Sequence, residues 1–156
     1  MRSAVIGLGN LLLRDDGVGI RVIEALKKAG LEGVELIDGG TAVFSIPFED
    51  YDRVILVDAV KLPHKRPGEV VVLTKRQLLS GGERVVWSGH SLDLIDILKL
   101  LEFESKLPRE LYLIGVVPSS IETGLSLSPE VEKSIPRCIE TIKSLLDESA
   151  HTQNGT

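Results

Sequence analysis

The sequence has 156 residues, 43% of them hydrophobic and 26% charged, which is the size and composition of one globular domain. Its formal net charge of −5 excludes the concentrated basic face that nucleic-acid binding requires, so no nucleic-acid partner is predicted. A single cysteine excludes an intrachain disulfide and is typical of a protein kept in the reducing cytoplasm.

The apolar residues near the N-terminus predict neither a signal peptide nor a membrane span. Gly7, Gly9 and Asn10 interrupt the run, and charged residues follow it without a small-residue cleavage site. No other stretch approaches the roughly 20 apolar residues that cross a bilayer. The sequence therefore predicts a cytoplasmic protein without a membrane partner, with one domain over residues 1–150 and a polar, flexible tail over 151–156.

Five short apolar and β-branched segments predict strands. Most are continuously apolar instead of alternating, as in strands of a parallel sheet that are buried on both faces. The connection between the third and fourth segments is too short for a crossover helix, so the fourth strand is predicted to run antiparallel to the third. The segments are Ser3 to Gly7, Val34 to Ile37, Val54 to Asp58, Glu69 to Leu73 and Leu111 to Val117.

Two segments between the strands predict helices, and a third is a weaker candidate. Gly17 to Ala29 places apolar residues on one helical face, and Gly30 supplies a stop signal. Ser91 to Leu101 is apolar on most sides, which indicates a deeply packed helix. Thr41 to Phe48 is the candidate for a further short helix.

The last helix is predicted to begin at Ser128-Pro129, with the serine as N-cap and the proline in the first turn. An apolar stripe runs from Val131 to Leu146, and Pro136 predicts a kink in it. Cys138 lies on this stripe and is therefore interpreted as a core residue and not as a nucleophile.

The alternation of strands and helices predicts an α/β fold. We expect a three-layer αβα sandwich, in which a mostly parallel, five-stranded twisted sheet has helices on both faces and one antiparallel strand. In such sheets, ligands bind beyond the carboxyl ends of the strands. The polar residues that follow each strand are therefore the candidates for a functional site.

Four carboxylates and one imidazole follow these strands or precede the helices. They are Asp15 and Asp16 before the first helix, Asp38 after the second strand, Asp58 at the end of the third, and His90 in a glycine-rich loop. Two carboxylates and an imidazole form a mixed oxygen and nitrogen set that suits a divalent metal of the zinc or nickel type. Three protein ligands would leave coordination positions open for water or a substrate ligand.

Each of these residues also has a structural interpretation. Asp15 and Asp16 could complement the helix dipole, which contributes about 0.3–1 kcal/mol, and this is the favoured interpretation of Asp15. Asp38 precedes two glycines and could form a turn, whereas His90 alone could simply be a helix-entry residue. Asp58 is harder to explain in this way, because a carboxylate in a buried strand is costly without a partner.

A nucleotide-binding module is the alternative function that the residues leave open. Gly7 and Gly9 follow a strand and precede a helix, and Asp38 stands about where a ribose-binding acid would stand. Against this, Leu12 occupies the position of the third glycine. The two aspartates that follow would repel a pyrophosphate at a helix start that should attract anions.

Taken together, five segments in this order and spacing resemble the hydrogenase maturation endopeptidases, over nearly the whole chain. The segments are Gly7-Leu8-Gly9-Asn10 with Asp15-Asp16-Gly17-Val18-Gly19, Ile37-Asp38-Gly39-Gly40-Thr41, Val57-Asp58-Ala59, Gly89-His90-Ser91, and Gly115-Val116-Val117-Pro118 followed by Glu122 and Leu125-Ser126-Leu127-Ser128.

The resemblance implies an endopeptidase that removes a C-terminal extension from the nickel-loaded precursor of a nickel–iron hydrogenase large subunit. It implies that nickel carried by this partner is recognised by Asp16, Asp58 and His90, and other divalent metals are expected to occupy the same site in vitro. Some members have Glu at the first position, so Asp16 reaches one methylene less far. Asp38 matches an aspartate near the cleavage site and is the predicted catalytic residue. We expect a monomer.

A non-catalytic adaptor on the same fold is a further alternative. Such a protein would sense the metal in the precursor with the same three residues. It would bind the precursor in a nickel-dependent manner without cleaving it.

Overall fold

Strands and helices alternate along the chain in a computed structural model, which describes residues 1–80, 86–87 and 94–154, with side chains for 1–80 and 94–147. The strands are β1 (Ser3–Leu8), β2 (Glu35–Gly40), β3 (Arg53–Lys61), β4 (Val70–Thr74), β5 (Val86–Trp87) and β6 (Glu110–Val116). The helices are α1 (Val18–Ala29), α2 (Lys75–Ser80), α3 (Leu94–Phe103), α4 (Pro129–Glu132) and α5 (Ile135–Asn154).

The main sheet has the strand order β2-β1-β3-β6-β4. The first four of these strands are mutually parallel, and β4 is antiparallel to β6. The predicted mostly parallel, five-stranded α/β fold is therefore confirmed, and so is the reversed direction of β4. Strands β3 and β4 do not pair directly, because β6 lies between them. The two-residue strand β5 adds a short antiparallel pair at Val60 and Lys61 of β3.

Each face of the sheet carries its own apolar core. Ala4 and Ile6 of β1 point to a core completed by α2, α3 and the segment after β2. Val5 points to the opposite core, which α1 and α5 cover. Both cores use successive residues of the same strands, because side chains of a strand alternate between the two faces. This double burial explains why the strands are continuously apolar in sequence.

The first helix follows the prediction closely. A 3-10 turn over Arg14–Gly17 precedes α1, and Gly30 ends the helix in the left-handed conformation with φ of 71°. A residue without a Cβ adopts this conformation without strain, which is the usual reason for glycine at a helix C-terminus. The segment from Thr41 to Phe48 is helical only as short 3-10 turns, at Val43–Ser45 and Phe48–Asp50.

One feature of the later helices differs from the prediction. The helix from Pro129 is broken before Pro136 instead of kinked at it, because α4 ends at Glu132 and α5 begins at Ile135. Pro136 therefore lies in the first turn of α5, where its missing N–H costs nothing. Helix α5 continues to Asn154, into the predicted tail. Of the helix predicted over Ser91 to Leu101, residues 91–93 lie outside the described residues, and α3 covers the rest of it.

Polar side chains at the amino ends of the strands form hydrogen bonds with one another and with helix α5. The buried guanidinium of Arg53 donates to Glu110 at 3.2 Å and to the carbonyl oxygen of Leu146 at 3.2 Å. The Tyr51 hydroxyl donates to Glu35, and this hydrogen bond raises the pKa of Tyr51 to about 12. These contacts lie at the end of the sheet opposite the predicted site, so we assign them to the stability of the fold.

No helix in the described ranges combines the length and the apolar character needed to cross a membrane.

Helix α1 begins in direct contact with the backbone of the sheet. A Cβ atom at Gly19 would lie 2.1 Å from the carbonyl oxygen of Val57 and 2.5 Å from that of Leu8. A Cβ atom at Gly7 would lie 2.4 Å from the carbonyl oxygen of Gly19. Only glycine fits at these two positions, and the close contact fixes where the preceding loop crosses the ends of β1 and β3.

We expect Gly19→Ala to lower the free energy of unfolding by about 1–3 kcal/mol, because the added methyl group would collide with backbone that cannot move aside. The sign is informative, since alanine normally stabilises a helix interior by about 0.8–1 kcal/mol relative to glycine. Urea unfolding monitored by circular dichroism measures the change. Ser144→Ala is the control, because Ser144 is exposed on helix α5 and its replacement adds no atom that could meet the backbone. Wild-type stability in Gly19→Ala would contradict the steric explanation.

Candidate functional site

Asp16 lies in the 3-10 turn between β1 and α1, at the carboxyl edge of the sheet. Its side chain is fully buried. One carboxylate oxygen, Oδ2, accepts a hydrogen bond from the backbone N–H of Asn10 at 2.9 Å. The backbone N–H of Asp16 donates in turn to the carbonyl oxygen of Leu13 at 3.0 Å. The residue is therefore held by its own loop, and its carboxylate faces the protein and not the solvent.

Asp58 lies within β3 and is 1% exposed. The sequence placed it at the end of the third strand, but β3 continues past it to Lys61 because its end pairs with β5. Its Oδ1 atom accepts a hydrogen bond from the backbone N–H of Ala59 at 2.7 Å. Asp58 thus lies inside the sheet, on the strand that pairs with β1.

The glycine turn after β1 brings these two aspartates together. A Cβ atom at Gly9 would lie 1.9 Å from the carbonyl oxygen of Asp16 and 3.5 Å from Oδ1 of Asp58. Gly9 has φ of 128°, a backbone conformation that residues with a Cβ atom rarely adopt. The loop of Asp16 therefore packs directly over Gly9, beside the carboxylate of Asp58. The backbone of Asp16 and the side chain of Asp58 therefore lie at the same glycine turn.

Asp38 is at the same edge but differs in exposure. It lies inside β2, beside Gly7 of β1, and not in a loop beyond the strand as expected from the sequence. Its Oδ1 atom accepts from the backbone N–H of Gly40 at 3.0 Å, the local turn that was its structural interpretation. The carbonyl oxygen of Gly40 then accepts from the N–H of Gly9 at 2.8 Å. Asp38 is exposed to solvent and is therefore open to a substrate.

The third predicted metal ligand, His90, lies outside the described residues. Among the described residues, no three His, Cys, Asp or Glu side chains are grouped so that they could hold a metal ion. The described part of the site therefore contains two buried aspartates, Asp16 and Asp58, at the Gly9 turn. Oxygen ligands of this kind suit a divalent cation when an imidazole or a substrate ligand completes the coordination.

Asp15 has a role that the sequence did not predict. Its carboxylate does not complement α1 but is fully buried against the loop after β6. It accepts hydrogen bonds from the backbone N–H groups of Ser119 and Ser120 at 2.9 Å each. Ser128 contributes two more, from its N–H at 2.7 Å and its hydroxyl at 2.8 Å. The helix-dipole interpretation of Asp15 is wrong, because its carboxylate accepts hydrogen bonds from a distant loop and not from the N-terminus of α1.

The same contacts correct the interpretation of Ser128. Helix α4 does begin at Pro129, as predicted, but Ser128 makes no capping hydrogen bond with its side chain. Its hydroxyl donates to Asp15 instead. No local signal in the sequence connects these two residues, which are 113 positions apart.

Burial alone raises the pKa of the Asp15 carboxyl group, but hydrogen bonds from Ser120, Ser128 and Ser119 outweigh it. The pKa of Asp15 is therefore lower than its ordinary value. Donors aimed at the charged form of a carboxylate favour that form. Asp15 is accordingly a buried, ionised anchor between two loops of the carboxyl edge.

The lowered pKa of Asp15 predicts how the stability of the protein depends on pH. An unfolded Asp has a pKa of about 3.9, so ionised Asp15 stabilises the native state above that pH, and the stabilisation is lost as the pH falls through the folded pKa. We expect Asp15→Asn to lower the free energy of unfolding by about 2–4 kcal/mol at pH 7. The difference from wild type should shrink below about pH 4.

Urea unfolding between about pH 3 and pH 7 measures this difference. Asp147→Asn is the matched control, because Asp147 is an exposed aspartate on α5. A difference that stays constant over the whole pH range would show that the charge on Asp15 is not the stabilising feature.

Cys138 is fully buried in the core between α1 and α5, as predicted. Burial raises the pKa of its thiol to about 11, so the reactive thiolate is not available at neutral pH. A cysteine nucleophile at this position is excluded.

The geometry of the glycine turn also opposes the nucleotide-binding alternative. A pyrophosphate would have to approach the backbone at Gly9. That space holds the carbonyl oxygen of Asp16, which would lie 1.9 Å from a Cβ atom on Gly9. The loop that bears the two aspartates therefore covers the position where a dinucleotide would bind.

The sequence of this chain is similar to known proteins over most of its length. The family model of the HycI hydrogenase maturation protease matches residues 20–145. The chain is 35% identical over 153 residues to the hydrogenase 2 maturation protease of Escherichia coli K12, covering 96% of this chain and 93% of that protein. It is 36% identical over 138 residues to protein FrxA of Pyrococcus furiosus, covering 86% and 97%.

Solved structures give the same result. The hydrogenase maturating endopeptidase HybD from E. coli superposes with a TM-score of 0.82 at 34% identity, covering 96% of this chain and 94% of the other. The [NiFe] hydrogenase maturation protease HybD from Thermococcus kodakarensis gives a TM-score of 0.77 at 30% identity, covering 93% and 99%. Both the sequence and the fold are similar over nearly the entire length.

Proposed function

Because this chain belongs to the hydrogenase maturation protease family, we propose that it removes a C-terminal extension from the precursor of a nickel–iron hydrogenase large subunit. The chain is thus a protease, and the precursor is its proposed partner. The observation that carries this proposal is that two buried aspartates, Asp16 and Asp58, contact the Gly9 turn at the edge where α/β sheets bind ligands.

Nickel enters this proposal as part of the substrate and not as a resident cofactor. Asp16, Asp58 and His90 are the proposed ligands that recognise it, and other divalent metals are expected to occupy the same ligands in vitro. Two buried carboxylates near one another repel, and a cation lowers that repulsion. A precursor that carries the metal therefore gains a contact that an empty precursor lacks, which makes cleavage conditional on metal insertion.

Asp38 is the proposed catalytic residue. It is exposed at the carboxyl end of β2, and its loop is tied to Gly9 through the hydrogen bond from the Gly9 N–H to the Gly40 carbonyl oxygen. A precursor held by Asp16 and Asp58 would thus have its chain close to an accessible carboxylate. Such a group can accept a proton from the water that attacks the scissile peptide bond.

The cell compartment and the assembly state follow from the same proposal. The single cysteine of the chain is typical of a reducing compartment, so we place the reaction in the cytoplasm. We propose that the chain acts as a monomer, which binds one precursor at the carboxyl edge of its sheet.

We expect nickel-loaded precursor to be trimmed and nickel-free precursor to remain intact, with loss of the C-terminal peptide followed by mass spectrometry. Asp16→Asn, Asp58→Asn and His90→Ala should each lower kcat/KM by more than about 100-fold, since changes in outer-shell partners of a metal already cost 10–100-fold. Asp147→Asn should cleave at the wild-type rate. Its neighbour Leu146 contacts Arg53 at the opposite end of the sheet, far from the proposed ligands.

Two results would contradict this proposal in different ways. Equal trimming of nickel-free precursor would remove the metal from substrate recognition. Nickel-dependent binding without any cleavage would identify the chain as the adaptor described above.

A separate variant tests the catalytic carboxylate. Asp38→Asn keeps the size of the side chain and the oxygen that accepts from Gly40, but it cannot take up a proton at neutral pH. We expect kcat to fall by about 10²–10⁴-fold, the usual contribution of a general base, with little change in precursor affinity. Single-turnover cleavage and a binding titration separate the two quantities. Processing at the normal rate would show that another group activates the water.

A further inference from the structure

The loop of Asp16 is joined to the loop after β6 by hydrogen bonds in both directions. The four that end on the Asp15 carboxylate come from Ser119, Ser120 and Ser128. The backbone N–H of Asp15 also donates to the carbonyl oxygen of Ser120 at 3.1 Å. We call the contacts between residues 10–17 and residues 119–128 the two-loop clamp.

The clamp continues along the backbone on the other side of Asp15. The N–H of Arg14 donates to the Gly124 carbonyl oxygen at 2.9 Å, and the N–H of Gly124 donates to the Leu12 carbonyl oxygen at 2.8 Å. The Arg14 side chain adds a bond from Nε to the carbonyl oxygen of Ser126 at 3.2 Å. Asp15 is therefore the centre of a contact that spans several residues of each loop.

The backbone of Arg14, next to Asp15, is strained, which indicates that the two-loop clamp holds this residue in place. Arg14 has φ of 45°, a left-handed conformation that non-glycine residues rarely adopt. Such strain persists only where surrounding contacts hold the residue in place, and it is concentrated at functional sites. A Cβ atom at Gly124 would lie 2.9 Å from Cγ of Arg14, so the two loops are also packed tightly against each other.

Asp16 follows Asp15 directly, so the clamp decides where its backbone lies. The Asp16 carboxylate in turn accepts from the N–H of Asn10 at 2.9 Å, within the same loop. A shift of Asp15 would move Asp16 relative to Asp58, which is fixed separately in β3. The position of the Asp16 carboxylate therefore depends on a residue that is not itself a proposed ligand.

We propose that Asp15 is a positioning residue, whose carboxylate fastens residues 119–128 to the first loop and thereby fixes the direction in which Asp16 presents its carboxylate to the metal carried by the precursor. The inference rests on the proposed function. It assigns the loop after β6 a part in metal recognition although that loop supplies no ligand.

The hydrogen bond from Asn10 to Asp16 gives a readout that does not depend on cleavage. In ¹⁵N-labelled protein, Asp15→Asn should change the amide shift of Asn10 and lower its protection from hydrogen exchange by about tenfold or more, while core amides of β1 and β3 lose less. If the effect passes through Asp16, adding Asp15→Asn to an Asp16→Asn protein should produce no further change at Asn10.

Two serines of the same loop provide a matched pair for the case in which Asp15→Asn does not fold. Ser128→Ala removes one of the four bonds to Asp15 and should shift Asn10 in the same direction by a smaller amount. Ser126→Ala leaves Asn10 unchanged, because the exposed Ser126 takes part only through its backbone carbonyl oxygen. With nickel-loaded precursor, Asp15→Asn and Ser128→Ala should raise KM more than they lower kcat, since metal recognition belongs to binding.

Three results would overturn the inference. The first is an unchanged Asn10 amide in folded Asp15→Asn or Ser128→Ala protein. The second is a uniform loss of protection at Asn10 and at the core amides, which would reduce Asp15 to a purely structural residue. The third is an additive change in the double variant. A wild-type protein that fails to trim any precursor would refute the proposed function instead, and the Asn10 measurements would still report whether Asp15 positions Asp16.

Discussion

The contact of α1 with bare backbone is the constraint on which the site depends. Gly19 packs against the carbonyl oxygens of Leu8 and Val57, and Gly7 packs against Gly19, with no side chain to separate helix from sheet. The helix therefore starts directly above the ends of β1 and β3. The loop that precedes it is forced to cross over Gly9, and this crossing brings Asp16 beside Asp58. A protein interior is too densely packed to absorb an added methyl group at such a contact without moving one of the elements.

Buried carboxylates would normally weigh against this arrangement, because a charge removed from water is costly without compensating donors. The buried aspartates of this site are compensated by hydrogen-bond donors in two different ways. Asp15 is compensated completely inside the protein, by four hydrogen bonds from one loop that favour its charged form. Asp16 and Asp58 receive N–H donors from Asn10 and Ala59 and remain next to one another. Under the proposed function, these two aspartates bind the metal that the substrate carries.

The two ends of the sheet consequently carry different kinds of polar group. At the amino end, Arg53 is paired with Glu110, and Glu35 accepts from Tyr51, which closes the fold with internal partners. At the carboxyl end, Asp38 is exposed and the two neighbouring aspartates are held by backbone donors. This asymmetry is typical of α/β proteins, in which loops at the carboxyl edge carry the chemistry and the remainder provides a rigid support.

The sequence by itself determined the fold class, the direction of β4 and the first helix with its end at Gly30. These depend on local signals: continuous apolar runs, helical spacing and the chain order of strands and helices. Its motifs also indicated the family. The tertiary structure decided the position of β6 between β3 and β4, the extension of β3 past Asp58, and the role of Asp15. Each of these depends on partners far away in the chain, such as Ser128, and a carboxylate before a helix has the same local pattern whether it serves the helix or a distant loop.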